Sequence, residues 1–175
     1  MAGAIQRSEV GLNLFSIFDV GLLASGISGD ILPSSPRDTP SSLLVPATGY
    51  YVNARFVYNT SGADIPVNQV VRYKDGSDLE VLECATAELS AEKIAGIAPI
   101  AIPNGKYGFV VCKGKFATLN DSGAGITAGD RLKTTNSGGV ATNDESTAAR
   151  VAGRCGIALE TIANGATGIC EIDLP

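Results

Sequence analysis

The sequence predicts an all-β fold, a small β-barrel or β-sandwich built from two similar units of about 60 residues, with an extended N-terminal arm. Three observations carry this. One series of motifs occurs twice at a nearly constant spacing; short runs alternate apolar and polar residues; and those runs are bounded by Gly, Asn and Asp.

The first element is the arm and its linker, residues 1–46. The stretch from Pro33 to Pro46 holds four of the eight prolines, with Ser34, Ser35, Ser41 and Ser42 between them. Such a composition favours extended, poorly packed chain. It separates an apolar N-terminal piece from a body, residues 47–175. The apolar run from Val10 to Ile27 raises the question of a leader or a membrane span. Glu9 precedes it and Asn13 and Asp19 interrupt it, and a charge inside a membrane is costly, so neither is expected.

The body carries the repeat. "GIAPIAIPNGKYGFVVC" from Gly96 aligns without a gap on "GIALETIANGATGICEI" from Gly156, an offset of 60 residues. "NTSGADIPVNQVVRYK" from Asn59 aligns on "NDSGAGITAGDRLKTT" from Asn120, an offset of 61. Matched blocks in the same order at nearly the same displacement indicate two copies of one unit, about 59–112 and 120–172.

Each unit reads as strands. Val52, Ala54, Phe56 and Tyr58 alternate with Tyr51, Asn53, Arg55 and Val57, and short runs follow at 69–74, 79–84, 109–112 and 169–173. Asn104-Gly105 and Asn164-Gly165 sit between apolar runs, where the pair supplies the positive φ of a tight hairpin turn. Residues 75–80, "DGSDLE", read as a further hairpin turn with a solvated acidic strand, since the carboxylates lack calcium-loop spacing. Ser90 to Lys93 is the one helical turn the pattern allows. A single such unit buries too little surface to be comfortable alone, so the two are expected to close around one interior.

The glycines of "SGAGITAGDRLKTTNSGG" pose the question of a phosphate loop. Gly123, Gly125 and Gly129 are followed by Asp130, which repels phosphate, and by "RLKTT", which is β-prone. In the other copy, the places of Gly125 and Gly129 are held by Asp64 and Asn68. The stretch is turn chemistry. Asn59-Thr60-Ser61 and Asn120-Asp121-Ser122 are formal glycosylation sequons that coincide with the repeated turn.

Composition bounds the chemistry. There is no histidine, so the usual catalytic triad is absent and the commonest proton carrier and metal ligand are missing. The net charge is −5 and the basic residues are scattered, so no stripe exists to neutralise a nucleic-acid backbone. The four cysteines, Cys84, Cys112, Cys155 and Cys170, form no CxxC pair and sit in apolar runs. They read as small reduced core residues, although an oxidising setting would permit a bridge such as Cys112 with Cys170. No catalytic, cofactor or metal residue is expected.

From about Ala47 to Leu174 the chain resembles the capsid decoration, or cement, proteins of tailed bacteriophages. The likeness rests on "KIAGIAPIAIPNGKYGFVVCKGKF", "GITAGDRLKTTNSGG" and "AGRCGIALETIANGATGICEIDL". The resemblance implies a non-enzymatic structural protein of the virion, made in the host cytoplasm. It would bind the major capsid protein on the outside of an assembled head, commonly as a homotrimer, and strengthen the shell.

The N-terminal 46 residues fall outside that resemblance. Leu12, Leu14, Phe15, Ile17, Phe18, Leu22 and Leu23 are too apolar for a free tail and are the candidate interface, docking on a neighbouring subunit or on the capsid. The competing expectation is an arm folded back onto its own domain. A carbohydrate- or receptor-binding β module of a phage tail fibre is the alternative function. It is disfavoured by the lack of tryptophan and by Tyr50-Tyr51 being the only adjacent aromatic pair.

Overall fold

The computed structural model describes residues 41–45, 50–77, 79–83, 93–135, 137–142 and 154–175. Among them are ten strands and no α-helix: β1 (Ser41–Val45), β2 (Tyr50–Asn59), β3 (Val70–Tyr73), β4 (Glu80–Glu83), β5 (Ile94–Ile97), β6 (Tyr107–Leu119), β7 (Arg131–Thr134), β8 (Val140–Thr142), β9 (Arg154–Ala158) and β10 (Thr167–Asp173).

They form one sheet in the order β1-β2-β4-β3-β5-β6-β10-β9-β7-β8, and a further pairing of β2 with β6 closes β2, β4, β3, β5 and β6 into a five-stranded barrel. The second unit repeats the plan with β6, β10, β9, β7 and β8. Its closing contact is a single parallel bridge between Asn120 and Val140. There the Asp121 amide donates to the Val140 carbonyl at 3.2 Å, as the Thr60 amide donates to Val81 at 3.1 Å in the first ring.

The rings share β6. Tyr107 to Val111, with Lys113, pairs with β2, while Lys113 to Leu119 pairs with β10. The register of β2 on β6 passes from Ala54↔Val111 to Asn53↔Lys113, which leaves Cys112 as an extra residue. A bulge of this kind turns the following side chains over to the other face of the strand. Phe109 and Val111 point out of the first ring; beyond the bulge Phe116 takes up that face, and Lys113 and Lys115 are exposed.

Two packed clusters follow. Val57, Ile65, Val71, Tyr73, Val81, Ala95, Ala98, Ile102 and Val110 fill the first ring. The other joins the first ring's outer face (Ala54, Phe56, Val70, Ile97, Phe109, Val111) to the counterparts of the first ring's filling, including Ile126, Leu132, Cys155, Ala158, Ile162 and Cys170. The expectation of one shared interior is therefore corrected. Each unit keeps its own filling, and the second packs against the outside of the first because the bulge turns β6 over. Burying one such Val or Ile contributes about 1.5–3 kcal/mol relative to exposure.

The Asn-Gly turns also differ from expectation. The Lys106 amide donates to Pro103 and the Ala166 amide to Ala163, both at 3.1 Å, and only the glycines have positive φ, +73° at Gly105 and +74° at Gly165. That is the pattern of a type II turn, with glycine third, instead of a mirror-image hairpin turn that needs positive φ at both central residues. Within the expected turn at 75–80, the described residues do turn between β3 and β4, with the Ser77 amide donating to Lys74 at 3.0 Å and the Lys74 ammonium 2.6 Å from Glu80 at the start of β4. Of the expected helical turn Ser90 to Lys93, only Lys93 is among the described residues.

Candidate functional site

The repeated turn is densely hydrogen-bonded in each ring. Asn59 is fully buried; its Nδ2 donates to the carbonyls of Ala63 at 2.8 Å and Ile102 at 2.7 Å, and its Oδ1 accepts from the Ser61 amide and hydroxyl. Asn120 repeats the set on Ala124 at 2.8 Å, Ile162 at 2.9 Å and Ser122. Across the turn, the Gly62 amide donates to Asn104 Oδ1 and the Gly123 amide to Asn164 Oδ1, both at 2.9 Å. Local Asn–Ser bonding of this type substitutes for backbone pairing where a strand ends.

This arrangement answers the phosphate question. An anion cradle needs backbone amides pointing at the ligand. Here the Gly123 amide is spent on Asn164, the Ile126 amide on Ile162 at 2.9 Å, the Thr127 amide on Asp130 at 2.9 Å and the Gly129 amide on Ala158 at 2.8 Å. Asn68 adopts φ +62° where its counterpart Gly129 has +94°, so the position is a left-handed corner in both copies. Both sequon asparagines have their amide nitrogens committed inside the fold.

The thiols have no such placement for chemistry. Cys112, Cys155 and Cys170 are buried and joined in no disulfide, and Cys84 lies outside the described residues. The bridge that Cys112 and Cys170 could have formed is not made. Burial pushes the Cys170 thiol up to about 11 and raises the Cys112 thiol as well, which suppresses the reactive thiolate. Among the described residues no group of three His, Cys, Asp or Glu is placed to hold a metal ion, and no helix is long and apolar enough to cross a membrane.

What distinguishes the two rings is the outward face. In the first, Ala54, Phe56, Val70, Ile94 and Val111 are buried. At the corresponding places the second carries Lys115, Ala117, Arg131, Arg154 and Glu171, exposed or half-buried. Register aligns Lys115 with Glu171, Glu171 with Ile157 and Ile157 with Arg131, while Lys133 stands opposite Arg154. Lys113 lies 3.2 Å from Asp173. Sequence reasoning passed over this face because its charges are far apart along the chain; the alternation of Lys113 and Lys115 with Phe116 and Thr118 was the available signal. The sequence-predicted interface residues Leu12, Leu14, Phe15, Ile17, Phe18, Leu22 and Leu23 lie outside the described residues.

Comparison with known proteins places this body. No curated protein matches the chain. Among solved structures, the N base of the head fibre gp8.5 of bacteriophage phi29 is similar at 21% identity, over 69% of this chain and 92% of that one, with a TM-score of 0.48. The family model described as phage cement protein matches residues 53–174, which span both rings and the bulged strand they share. With that match over most of its length, the chain belongs to the phage cement protein family, structural proteins of the virion.

Proposed function

We propose that this protein binds the outer surface of an assembled phage head, through the major capsid protein, and stabilises the shell. The observation that carries the reading is the family match over 53–174, coextensive with the two-ring body. The geometry is in keeping with it: the buried polar groups of the repeated turns are spent on the chain itself, and the exposed face of the second ring is left for contact.

In this reading the protein acts by mass action. A ligand that binds only the assembled lattice stabilises it by its binding free energy. A standard contact buries about 1,600 Å² in total, and a homotrimer engaging three equivalent sites would gain further from effective concentration. The chain before β1, residues 1–40, supplies an arm, with Leu12, Leu14, Phe15, Ile17, Phe18, Leu22 and Leu23 docking on capsid or on a neighbouring copy, while residues 41–45 of the expected linker pair with β2 instead.

The test is co-sedimentation of the purified full chain with heads assembled without it. Saturable binding at a fixed ratio to capsid protein is expected; absence of binding at micromolar concentration overturns the reading. Deletion of residues 2–30 separates the arm's two roles. A truncated protein that stays folded and loses heads makes the arm an interface, and one that unfolds makes it part of its own domain.

A further inference from the structure

The outward face of the second ring holds one cationic pair that the fold does not explain. Lys133 on β7 is the antiparallel register partner of Arg154 on β9, at a bulge where the register passes from Leu132↔Gly156 to Lys133↔Arg154 and leaves Cys155 as an extra residue. Leu132 and Thr134, which flank Lys133, are buried, and Arg154 holds the place that Ile94 holds on the first ring's outer face, so the pair lies on the outward face, where both residues are half-exposed. Like charges facing each other across a sheet destabilise it. No ion pair joins either residue to a carboxylate among the described residues. The first ring has no such pair, because Arg154 corresponds to Ile94, which is buried against the second ring.

We infer that Lys133 and Arg154 form a docking point for a carboxylate-bearing protein surface, the partner being the capsid in the reading proposed above, on which this inference rests. Two adjacent cations on a rigid sheet, repelling each other when free, gain most from a partner that places carboxylates between them. Charge complementarity favours protein over nucleic acid. A phosphate backbone needs a continuous basic stripe, whereas Glu171 lies in the next row of this face, Asp173 is paired with Lys113, and the whole chain carries a net charge of −5. Arg131, two residues from Lys133 on the same face, extends the cationic side of the patch.

The experiment measures binding of the full chain to heads assembled without it, across a range of salt concentrations, for wild type, K133Q/R154Q, K133E/R154E and the control K74E/K93E on the first ring. The double reversal is expected to weaken binding roughly tenfold or more, the neutral double to weaken it less, and both to flatten the salt dependence. Far-UV circular dichroism and melting temperature establish that the variants fold. The control is expected to bind as wild type does. If wild type binds and the double reversal binds equally well, or if K74E/K93E loses as much, the inference is overturned while capsid binding stands. If wild type binds a DNA fragment competitively with heads through the same two residues, a nucleic-acid surface replaces the protein one. If wild type does not bind heads at all, the proposed function falls and this inference with it.

Discussion

Asn59 and Asn120 hold the two rings shut in the same way. Each buried carboxamide joins the end of one strand to an isoleucine carbonyl across the turn, Ile102 in one ring and Ile162 in the other, at 2.7 and 2.9 Å. Truncation to alanine removes all four side-chain bonds at once, although Ile102 and Ile162 keep the Ile65 and Ile126 amides as donors and Ala63 and Ala124 keep the serine hydroxyls. Asn59→Ala and Asn120→Ala are each expected to cost about 2–4 kcal/mol, read as a lower denaturant midpoint with an unchanged slope. Equal costs at the two sites would reflect the duplication directly.

Gly96 and Gly156 lie where two backbones approach. A Cβ would run into the carbonyl of Val111 at Gly96 and of Glu171 at Gly156. Backbone cannot swing aside as a side-chain tip can. Gly96→Ala and Gly156→Ala are expected to destabilise by more than about 2 kcal/mol each, measured by thermal melting. Gly105→Ala, by contrast, has open space around it and costs only the positive φ, so its effect should be smaller, about 1 kcal/mol.

The Cys170 thiol gives a pH dependence with a definite sign. Its ordinary value of 9.0 is raised to about 11 in the fold, chiefly by burial. Below pH 9 both states hold the proton and stability is unaffected. Between pH 9 and 11 the unfolded chain holds fewer protons, so stability falls as pH rises. Cys170→Val, copying Val110 of the other ring, should remove part of that alkaline decline in an unfolding series and change little at neutral pH. A thiol reagent added to native protein at neutral pH should leave Cys112, Cys155 and Cys170 largely unmodified.

Because the second ring's filling is continuous with the first ring's outer face, the rings should unfold together. Calorimetric and van't Hoff enthalpies are expected to agree for the body. Phe116, 8% exposed and part of the shared cluster, should cost about 3–5 kcal/mol on truncation to alanine and lower one transition without splitting it. Two separate transitions would show that the rings fold as independent units.

Much of this plan was legible in the sequence. The offset from Asn59 to Asn120 and from Gly96 to Gly156 marked equivalent corners, and the structure gives each pair matching hydrogen bonds or matching close approaches. The junction was not legible. In the sequence the apolar run stops at Cys112, where Lys113, Gly114 and Lys115 follow it, yet β6 continues to Leu119 with those lysines facing outward. A bulge adds one residue without a compositional mark, so period-two reasoning places every later side chain on the wrong face. The face carrying Lys133 and Arg154 was hidden for a related reason. Only strand order brings β7 beside β9, and like-charge opposition is a property of register, which local patterns do not encode.

The most direct test of the account is the stability of DNA-filled heads with and without this protein. Heads lacking it, titrated with the purified full chain, should release their DNA at a progressively higher temperature that levels off once sites are saturated. A release temperature that does not move at saturating protein, with the protein remaining in the supernatant, would contradict the account.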